Sequence, residues 1–541
     1  MTSTARHIAP ASTDAGRLAR LIDLGIALSS ERNHNRLLEI ILEEAQALAH
    51  ADGGTLYIRE GESRLAFAIM RNDSLNITLG GTSGQLIPFP PLWLYDEKTG
   101  APNENNVATF TAVHNETVNI PDAYDAKKFD FTGTKAFDKN TGYRSKSFLT
   151  IPLVNYEDHV IGVLQLINAK NPATGETVPF GPDVQPLIEA LASQAAVALD
   201  NQQLLKGQRD LLESFIKLIA SAIDEKSPYT GGHCQRVPTL TELLVDAACV
   251  SEDPAFAEFE LSEEERYEVH IAGWMHDCGK VTTPEYVMDK ATKLETIFDR
   301  VEIVRIRFEV LKREVELAYW RALAETKRDA AELKAQLGAE LAAIEDDWRF
   351  LERANVGGEA MSDADVERVQ RIAKRRIRGA DGGDADFLTD NEVYNLTIRR
   401  GTLTKEERTV INNHMAVTIK MLEQLPFPRN LRRVPEIAGG HHEKMDGTGY
   451  PKGLTRDQMS VPARAMAIAD IYEALTAADR PYKKAKTLSE TIRIMYNMKK
   501  TAHIDPDRFD LFLKSGVYKK YAELFLKPEQ IDEVEVEKYL G

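Results

Sequence analysis

The stretch that most constrains the fold runs from Pro186 to Asp224. There Ile188, Leu191, Ala195, Ala198, Leu205, Leu212, Ile216, Ile219 and Ile223 recur at steps of three and four residues. That spacing draws one apolar stripe along a helix. Gln202 and Arg209 occupy the two steps at which an apolar residue is missing. A helix over 186–224 outruns the usual globular length, and a heptad seam with polar interruptions suits a parallel dimer linker. The plainer alternative is a helix packed on its own domain. Because the seam crosses a domain boundary, the dimer linker is the expectation.

Composition agrees with several folding units. A chain of 541 residues is too long for one core, and 43% hydrophobic with 28% charged residues is ordinary for a globular protein. A net charge of −17 argues against non-specific binding to nucleic acid or to an anionic membrane. It leaves room for an anionic ligand held by metal ions and a few cations. The three cysteines, Cys234, Cys249 and Cys278, have no C-x-x-C spacing, which excludes a disulfide framework and fits a reducing cytoplasm. Residues 1–16 are polar and small, without an apolar signal core, and no apolar run reaches membrane-spanning length. A disordered N-terminus on a cytoplasmic protein is expected.

Residues 17 to about 50 read as two helices, followed by strands at Thr55 to Arg59 and Leu65 to Met70. A hairpin of Phe148 to Val154 and His159 to Asn168 turns at Asn155-Tyr156-Glu157-Asp158. Helix, hairpin, irregular middle, hairpin and closing helix make an α+β arrangement. The text from Phe137-Asp138-Lys139 through Tyr143 to Ser147, and the later Ile161-Gly162-Val163-Leu164-Gln165-Leu166-Ile167-Asn168, resemble a GAF domain over residues 17–200. GAF domains are small-molecule sensor modules. The resemblance implies a small-molecule or cyclic-nucleotide ligand, with Phe137 and Asp138 as candidate contacts.

Between Leu294 and Thr402 the composition changes. Ala, Glu, Lys, Leu and Arg dominate Ile297 to Ala354, as in a long helix or coiled coil. Gly357-Gly358 interrupts it. Ser362 with Asp365 starts a second helix to about Arg378, 379–386 forms a loop, and Thr389 with Glu392 starts a shorter helix. Residues 296–401 thus read as an inserted helical hairpin.

The candidate chemistry is spread over five places. His276-Asp277-Cys278-Gly279-Lys280 ends a helix that Ser262 and Glu265 start as a capping box. His233 opens a helix after Pro228 to Gly232, and His414 lies in a helix capped by Thr404 and Glu407. His441-His442-Glu443-Lys444-Met445-Asp446-Gly447-Thr448-Gly449-Tyr450-Pro451 joins paired imidazoles to a glycine-rich turn, and Asp470 sits in a helix begun by Ser460 and Pro462. Each of these alone reads as structural. Together they predict a metal centre, since imidazoles and carboxylates suit mid-series divalent ions.

This set resembles an HD-GYP domain, an all-α module here spanning 210–295 and 402–525, with the helical segment inserted between. HD-GYP proteins are phosphodiesterases that open cyclic di-GMP to pGpG and often GMP. The resemblance implies that His233, His276, Asp277 and Asp470 bind one ion, and that Asp277, His414, His441 and His442 bind a second. Fe or Mn is implied, with Asp224 and Glu225 as candidates for a third ion. Two divalent ions lower the pKa of a shared water for in-line attack on phosphorus. Asp277 and Lys280 are the catalytic candidates, and Lys280, Gly447, Gly449, Tyr450, Pro451 and Arg480 are the candidate substrate contacts. Two alternatives stay open: another cyclic dinucleotide such as cyclic GMP-AMP, and a GAF-dimer signalling adaptor with little catalysis. His270 reads as a surface or packing residue, Cys278 as a buried small residue, Trp274 and Tyr286 as core, and Glu529 to Glu537, in the C-terminal tail 526–541, as a solvated acidic segment.

Overall fold

The structure is a computed structural model that describes residues 14–226, 232–358, 360–378, 382–478 and 485–541, with side chains from residue 20. The chain divides into two compact units, residues 1–211 and 212–541. No helix among the described residues is long and apolar enough to cross a membrane.

The first unit is a sheet with helices. Helices Asp14–Ser30 and His34–Ala49 come first, and Asn33 caps the second by accepting the Arg36 N–H at 3.1 Å. The strands are β1 (Ala51–Glu60), β2 (Arg64–Asn72), β3 (Ile77–Gly80), β4 (Leu92–Trp93), β5 (Val118–Ile120), β6 (Phe148–Val154), β7 (Val160–Lys170) and β8 (Thr177–Val178). They form one sheet in the order β3-β2-β1-β7-β6-β5, with β4 on β2 and β8 on β7. The predicted N-terminal tail falls largely on residues 1–13, outside the described residues; helix begins at Asp14.

Gln185–Lys226 is one helix of 42 residues, but the expected seam is largely spent inside the units. Ile188, Leu191, Ala195 and Ala198 are buried against the sheet and first helices, and Ile216 and Ile223 are buried in the second unit. Gln202 donates to the Glu31 carbonyl at 3.0 Å and its Oε1 meets His34 Nδ1 at 3.1 Å. Leu205, Leu212 and Ile219 of that seam stay exposed, beside Val197, Leu204, Leu211, Phe215 and Leu218.

The second unit is mostly helical. Its larger core joins helix His233–Cys249, helix Glu263–Met275, helix Val461–Thr476 and the C-terminal helices from Leu488 to Phe525. Capping boxes at Ser262/Glu265, Ser362/Asp365, Thr389/Glu392 and Thr404/Glu407 start their helices. The segment inserted between the HD motif and His414 has its own core, which includes Val304, Phe308, Ile344, Phe350 and Ile372. Helices Val301–Glu325 and Ala330–Val356 are joined by a four-residue connection and pack on each other, the antiparallel hairpin expected. The next helix stops at Ala373, short of Arg378, because Arg376–Arg378 pairs with Asp384–Asp386 as a small hairpin.

Two further expectations are corrected. The acidic tail is docked: Val534, Val536, Tyr539 and Leu540 pack on the larger core. Buried Gln530 donates to the carbonyls of Thr476 and Lys486 at 2.8 and 3.1 Å. The tail's apolar residues alternate with its acids, which lets one side dock and the other face water. Trp274 packs against the core, but Tyr286 is exposed.

Candidate metal centre

His233 is the first residue of helix His233–Cys249. His276 caps helix Glu263–Met275, and Asp277 precedes the short 3-10 turn Cys278–Thr282. His414 opens helix His414–Glu423, His441 and His442 follow helix Val434–Gly439, and Asp470 lies within helix Val461–Thr476. Gly279 lets the HD motif lie directly on the His414 helix: a Cβ there would stand 2.0 Å from the His414 carbonyl oxygen and 2.6 Å from the Thr418 nitrogen. The Gly279 N–H donates to Thr418 Oγ1 at 2.9 Å.

These elements gather two groups, His233–His276–Asp277 and His414–His441–His442, each with its ligand atoms within 4.8 Å of one another. Asp277 lies between them. Its Oδ2 is 3.0 Å from His233 Nε2 and 3.1 Å from His276 Nε2, and its Oδ1 is 3.3 Å from His414 Nε2 and 3.9 Å from His441 Nε2. Asp470 Oδ1 is 3.5 Å from His233 Nε2.

Three of the imidazoles are aimed by the same device. Nδ1 of His276, His414 and His441 meets the carbonyl oxygen three residues upstream, that of Gly273, Ile411 and Ala438, at 2.7, 2.5 and 2.7 Å. A proton on Nδ1 leaves the Nε2 lone pair turned inward. Nε2 of His414, Nε2 of His441 and Oδ1 of Asp277 are buried without a hydrogen-bond partner. Each such group costs about 1–3 kcal/mol, so three facing one another fit a cation that all of them ligate.

The electrostatics are those of ligands. Burial alone would raise Asp277, but Lys280 and His276 hold its carboxyl well below the usual range. Burial likewise opposes ionisation of Asp470, and His441, His233 and His442 nevertheless hold it at about 2. Burial pushes His442 down to about 4. Burial, then the neighbouring His442 and His276, push His441 well below its ordinary value. Lys280 Nζ sits 2.5 Å from Asp277 Oδ2.

Of the third-ion candidates, Glu225 is exposed, whereas Asp224 is partly buried and accepts the Gly232 N–H at 3.0 Å. In the glycine-rich turn, Gly449 is required by packing rather than by freedom around a ligand: a Cβ would come within 2.5 Å of Lys444 N and Glu443 Cα. Tyr450 stacks on His442, with ring centroids 4.9 Å apart and planes at 22°, and Pro451 is exposed. Arg480 and Pro228–Gly231 lie outside the described residues.

Sequence reasoning missed two buried carboxylates. Glu443, inside the motif, accepts the N–H groups of Lys452 and Leu454 at 2.7 and 2.9 Å and so ties down the turn. Glu473, one turn after Asp470, accepts from Arg236 Nε at 2.8 Å and meets His233 Nδ1 at 2.7 Å. A carboxylate three residues from a ligand was the available signal for Glu473.

The first unit holds a cavity of about 460 Å³ lined by Phe67, Phe131, Phe137, Thr55, Asn72 and Gln165 among others. Phe137, a candidate ligand contact, is among the residues lining it. Asp138 does not line it: its carboxylate accepts the N–H and hydroxyl of Ser145 at 2.9 and 2.8 Å and the Tyr124 hydroxyl at 2.7 Å. It latches the corner between a helix and β6.

Comparison with known proteins follows this division. The GAF domain model matches residues 33–199, and an HD domain model matches residues 390–507. The second range contains His414, His441, His442 and Asp470; His233, His276 and Asp277 lie before it, on the other side of the insertion. The chain is 39% identical over 156 residues to the 3'3'-cGAMP-specific phosphodiesterase 3 of Vibrio cholerae, covering 29% of this chain and 31% of that protein. It is 40% identical over 119 residues to the cyclic di-GMP phosphodiesterase PA4108 of Pseudomonas aeruginosa, covering 22% and 28%. It is 32% identical over 121 residues to the dual 3',5'-cyclic-AMP and -GMP phosphodiesterase 11A of Takifugu rubripes, covering 22% and 12%. The chain thus spans less than a third of the length of these relatives. The GAF match falls within the first, α+β unit and the HD match within the second, mostly helical one.

Proposed function

We propose that the chain is a metal-dependent phosphodiesterase of the HD-GYP type that hydrolyses cyclic di-GMP to pGpG or GMP under control of its GAF domain. The observation that carries this reading is the convergence of buried, unpartnered Nε2 and Oδ1 atoms of His414, His441 and Asp277. In it, His233, His276, Asp277 and Asp470 would hold one divalent ion and His414, His441, His442 and Asp277 another, with Fe or Mn best suited to the donor set and Asp224 the better candidate for a third. When bound, the ions supply Lewis acidity to the phosphodiester and acidify a water.

The chain's own groups bind and orient. Lys280, already against Asp277, offers its other N–H groups to a phosphoryl oxygen, and Arg480 adds a second cation. Tyr450, braced on His442, forms the substrate rim with Gly447, Gly449 and Pro451. A turnover assay with cyclic di-GMP on the full chain tests this: linear product is expected, and none from Asp277→Ala. Unchanged turnover in that variant would sink the assignment. One observation favours a second reading, cyclic GMP-AMP as substrate: the 39% identity to a relative named as specific for 3'3'-cGAMP. The same assay with both dinucleotides decides by relative kcat/KM.

The aromatic cavity is the sensor pocket in this reading, with a small molecule or cyclic nucleotide as ligand. Cyclic AMP or cyclic GMP should raise the thermal midpoint or change turnover, and if neither does so the cyclic-nucleotide reading is dropped. A homodimer forms along the linker helix, on the exposed row Val197, Leu204, Leu211 and Leu218. Asn201 and Gln208 stand at two of the alternate steps, where polar residues set register, and Phe215 at the third adds to the apolar row. Three free cysteines fit a reducing, cytoplasmic setting.

A further inference from the structure

Three ligand imidazoles are aimed by backbone carbonyls, but His233 is not. Its Nδ1 lies 2.7 Å from Glu473 Oε2, and the other oxygen of that carboxylate takes Arg236 Nε at 2.8 Å and Arg236 Nη2 at 2.7 Å. His233 and Arg236 stand one turn apart on helix His233–Cys249, and Asp470 and Glu473 stand one turn apart on helix Val461–Thr476. The two helices pack directly on each other. Asp470 therefore approaches the inner face of the His233 ring, at Nε2, while Glu473 holds the outer one. Glu473 is only 2% exposed. A buried ion pair with Arg236 would satisfy packing by itself. The arrangement does more, because one oxygen is given to the imidazole at the nitrogen opposite the ligand atom.

We propose that Glu473, held by Arg236, is a positioning residue that keeps His233 as the Nδ1–H tautomer with Nε2 turned to Asp277 and Asp470. It thereby sets the cation affinity of the His233–His276–Asp277 group independently of the His414–His441–His442 group. The proposal rests on the metal-centre reading above but not on the identity of the substrate. Carboxylates placed behind ligating histidines orient the ring and strengthen it as a donor, and their loss typically weakens metal binding by about 10–100-fold.

The test is calorimetric titration of the metal-free full chain with Mn²⁺ alone, comparing the parent protein with Glu473→Gln, Glu473→Asp and His233→Ala. The parent protein should take up two ions. Glu473→Gln should weaken one of them by about 10–100-fold and leave the other within about twofold, at a metal-free thermal midpoint close to the parent. Glu473→Asp should recover part of the loss, and His233→Ala should weaken the same ion. Equal weakening of both ions, or unchanged binding of both, overturns the positioning role. If Glu473→Gln does not fold, Glu473→Asp decides alone, since a selective loss at one ion is expected there too. A parent protein that binds no Mn²⁺ overturns the metal-centre reading itself, a failure that the variants cannot mimic.

Discussion

Replacing Gly279 with alanine should damage the candidate metal centre without replacing a ligand. The added Cβ would stand 2.0 Å from the His414 carbonyl oxygen, 2.6 Å from the Thr418 nitrogen and 2.7 Å from Thr418 Oγ1. Two of those are backbone atoms of the helix that carries His414, so no side chain can swing aside. Restoring an ordinary contact needs an opening of about 1.4 Å between the HD motif and that helix. Forced repacking costs about 1–3 kcal/mol, and losing the Gly279 N–H bond to Thr418 Oγ1 adds about 1 kcal/mol. At about 1.4 °C per kcal/mol for a unit of this size, the midpoint of the second unit should fall by about 3–6 °C. The 3.3 Å approach of His414 Nε2 to Asp277 would widen with the same opening, and misplacement of about 1 Å typically costs about 100-fold in rate. Differential scanning calorimetry and metal analysis read the two effects. Gly338→Ala is the control: it lies in helix Ala330–Val356 with open space at its Cβ, and should stabilise by about 0.5–1 kcal/mol. A Gly279→Ala protein with the parent's midpoint and metal content would refute the reasoning.

Other consequences are more local. Asp505 is fully buried; burial raises its carboxyl pKa, and Arg508, Arg464 and Arg456 more than reverse this and hold it below its ordinary value. Because the folded value is the lower one, its contribution to stability is complete above about pH 4 and is lost as pH falls through the folded value. Asp505→Asn should therefore flatten the acid limb of stability against pH, measured by urea unfolding, and an unchanged limb contradicts the account. Leu211→Glu with Phe215→Glu should turn the proposed dimer into a monomer by light scattering while Gln202→Ala leaves it intact; the reverse pattern restores the seam first read from the sequence. Deleting residues 531–541 should lower the thermal midpoint of the second unit, because Val534, Val536, Tyr539 and Leu540 pack on its core, whereas a merely solvated tail would leave it unchanged.

The candidate ligands were legible because few residue types serve the purpose: five histidines and Asp277 near helix starts and ends, with Asp470 inside a helix, stand out in a chain with 12 histidines. Their aiming was not legible. His276, His414 and His441 are held by backbone carbonyls, which any residue at the upstream position supplies. The four longest strands, β1, β2, β6 and β7, were readable from their apolar runs, whereas β3, β4, β5 and β8, each of two to four residues, are too short to show a pattern. The linker seam was misread because the helix is apolar on more than one face: Ile188 and Ile223 serve cores inside the units while Leu204 and Leu218 stay outside. Asp138 shows a related limit, since a buried carboxylate in a sensor domain serves a ligand or a corner latch, and only its bonds to Ser145 and Tyr124 tell which.

The central claim is that Asp277 and the histidines around it hold metal for phosphodiester hydrolysis. Its most direct test is metal analysis of this chain purified anaerobically, paired with cyclic di-GMP turnover, for the parent chain and for His276→Ala with Asp277→Ala. At least two divalent ions per parent chain are expected, with turnover, and both metal and turnover should be lost in a variant that stays folded. A parent protein with little metal and no turnover, or a variant that still hydrolyses the substrate, would contradict it.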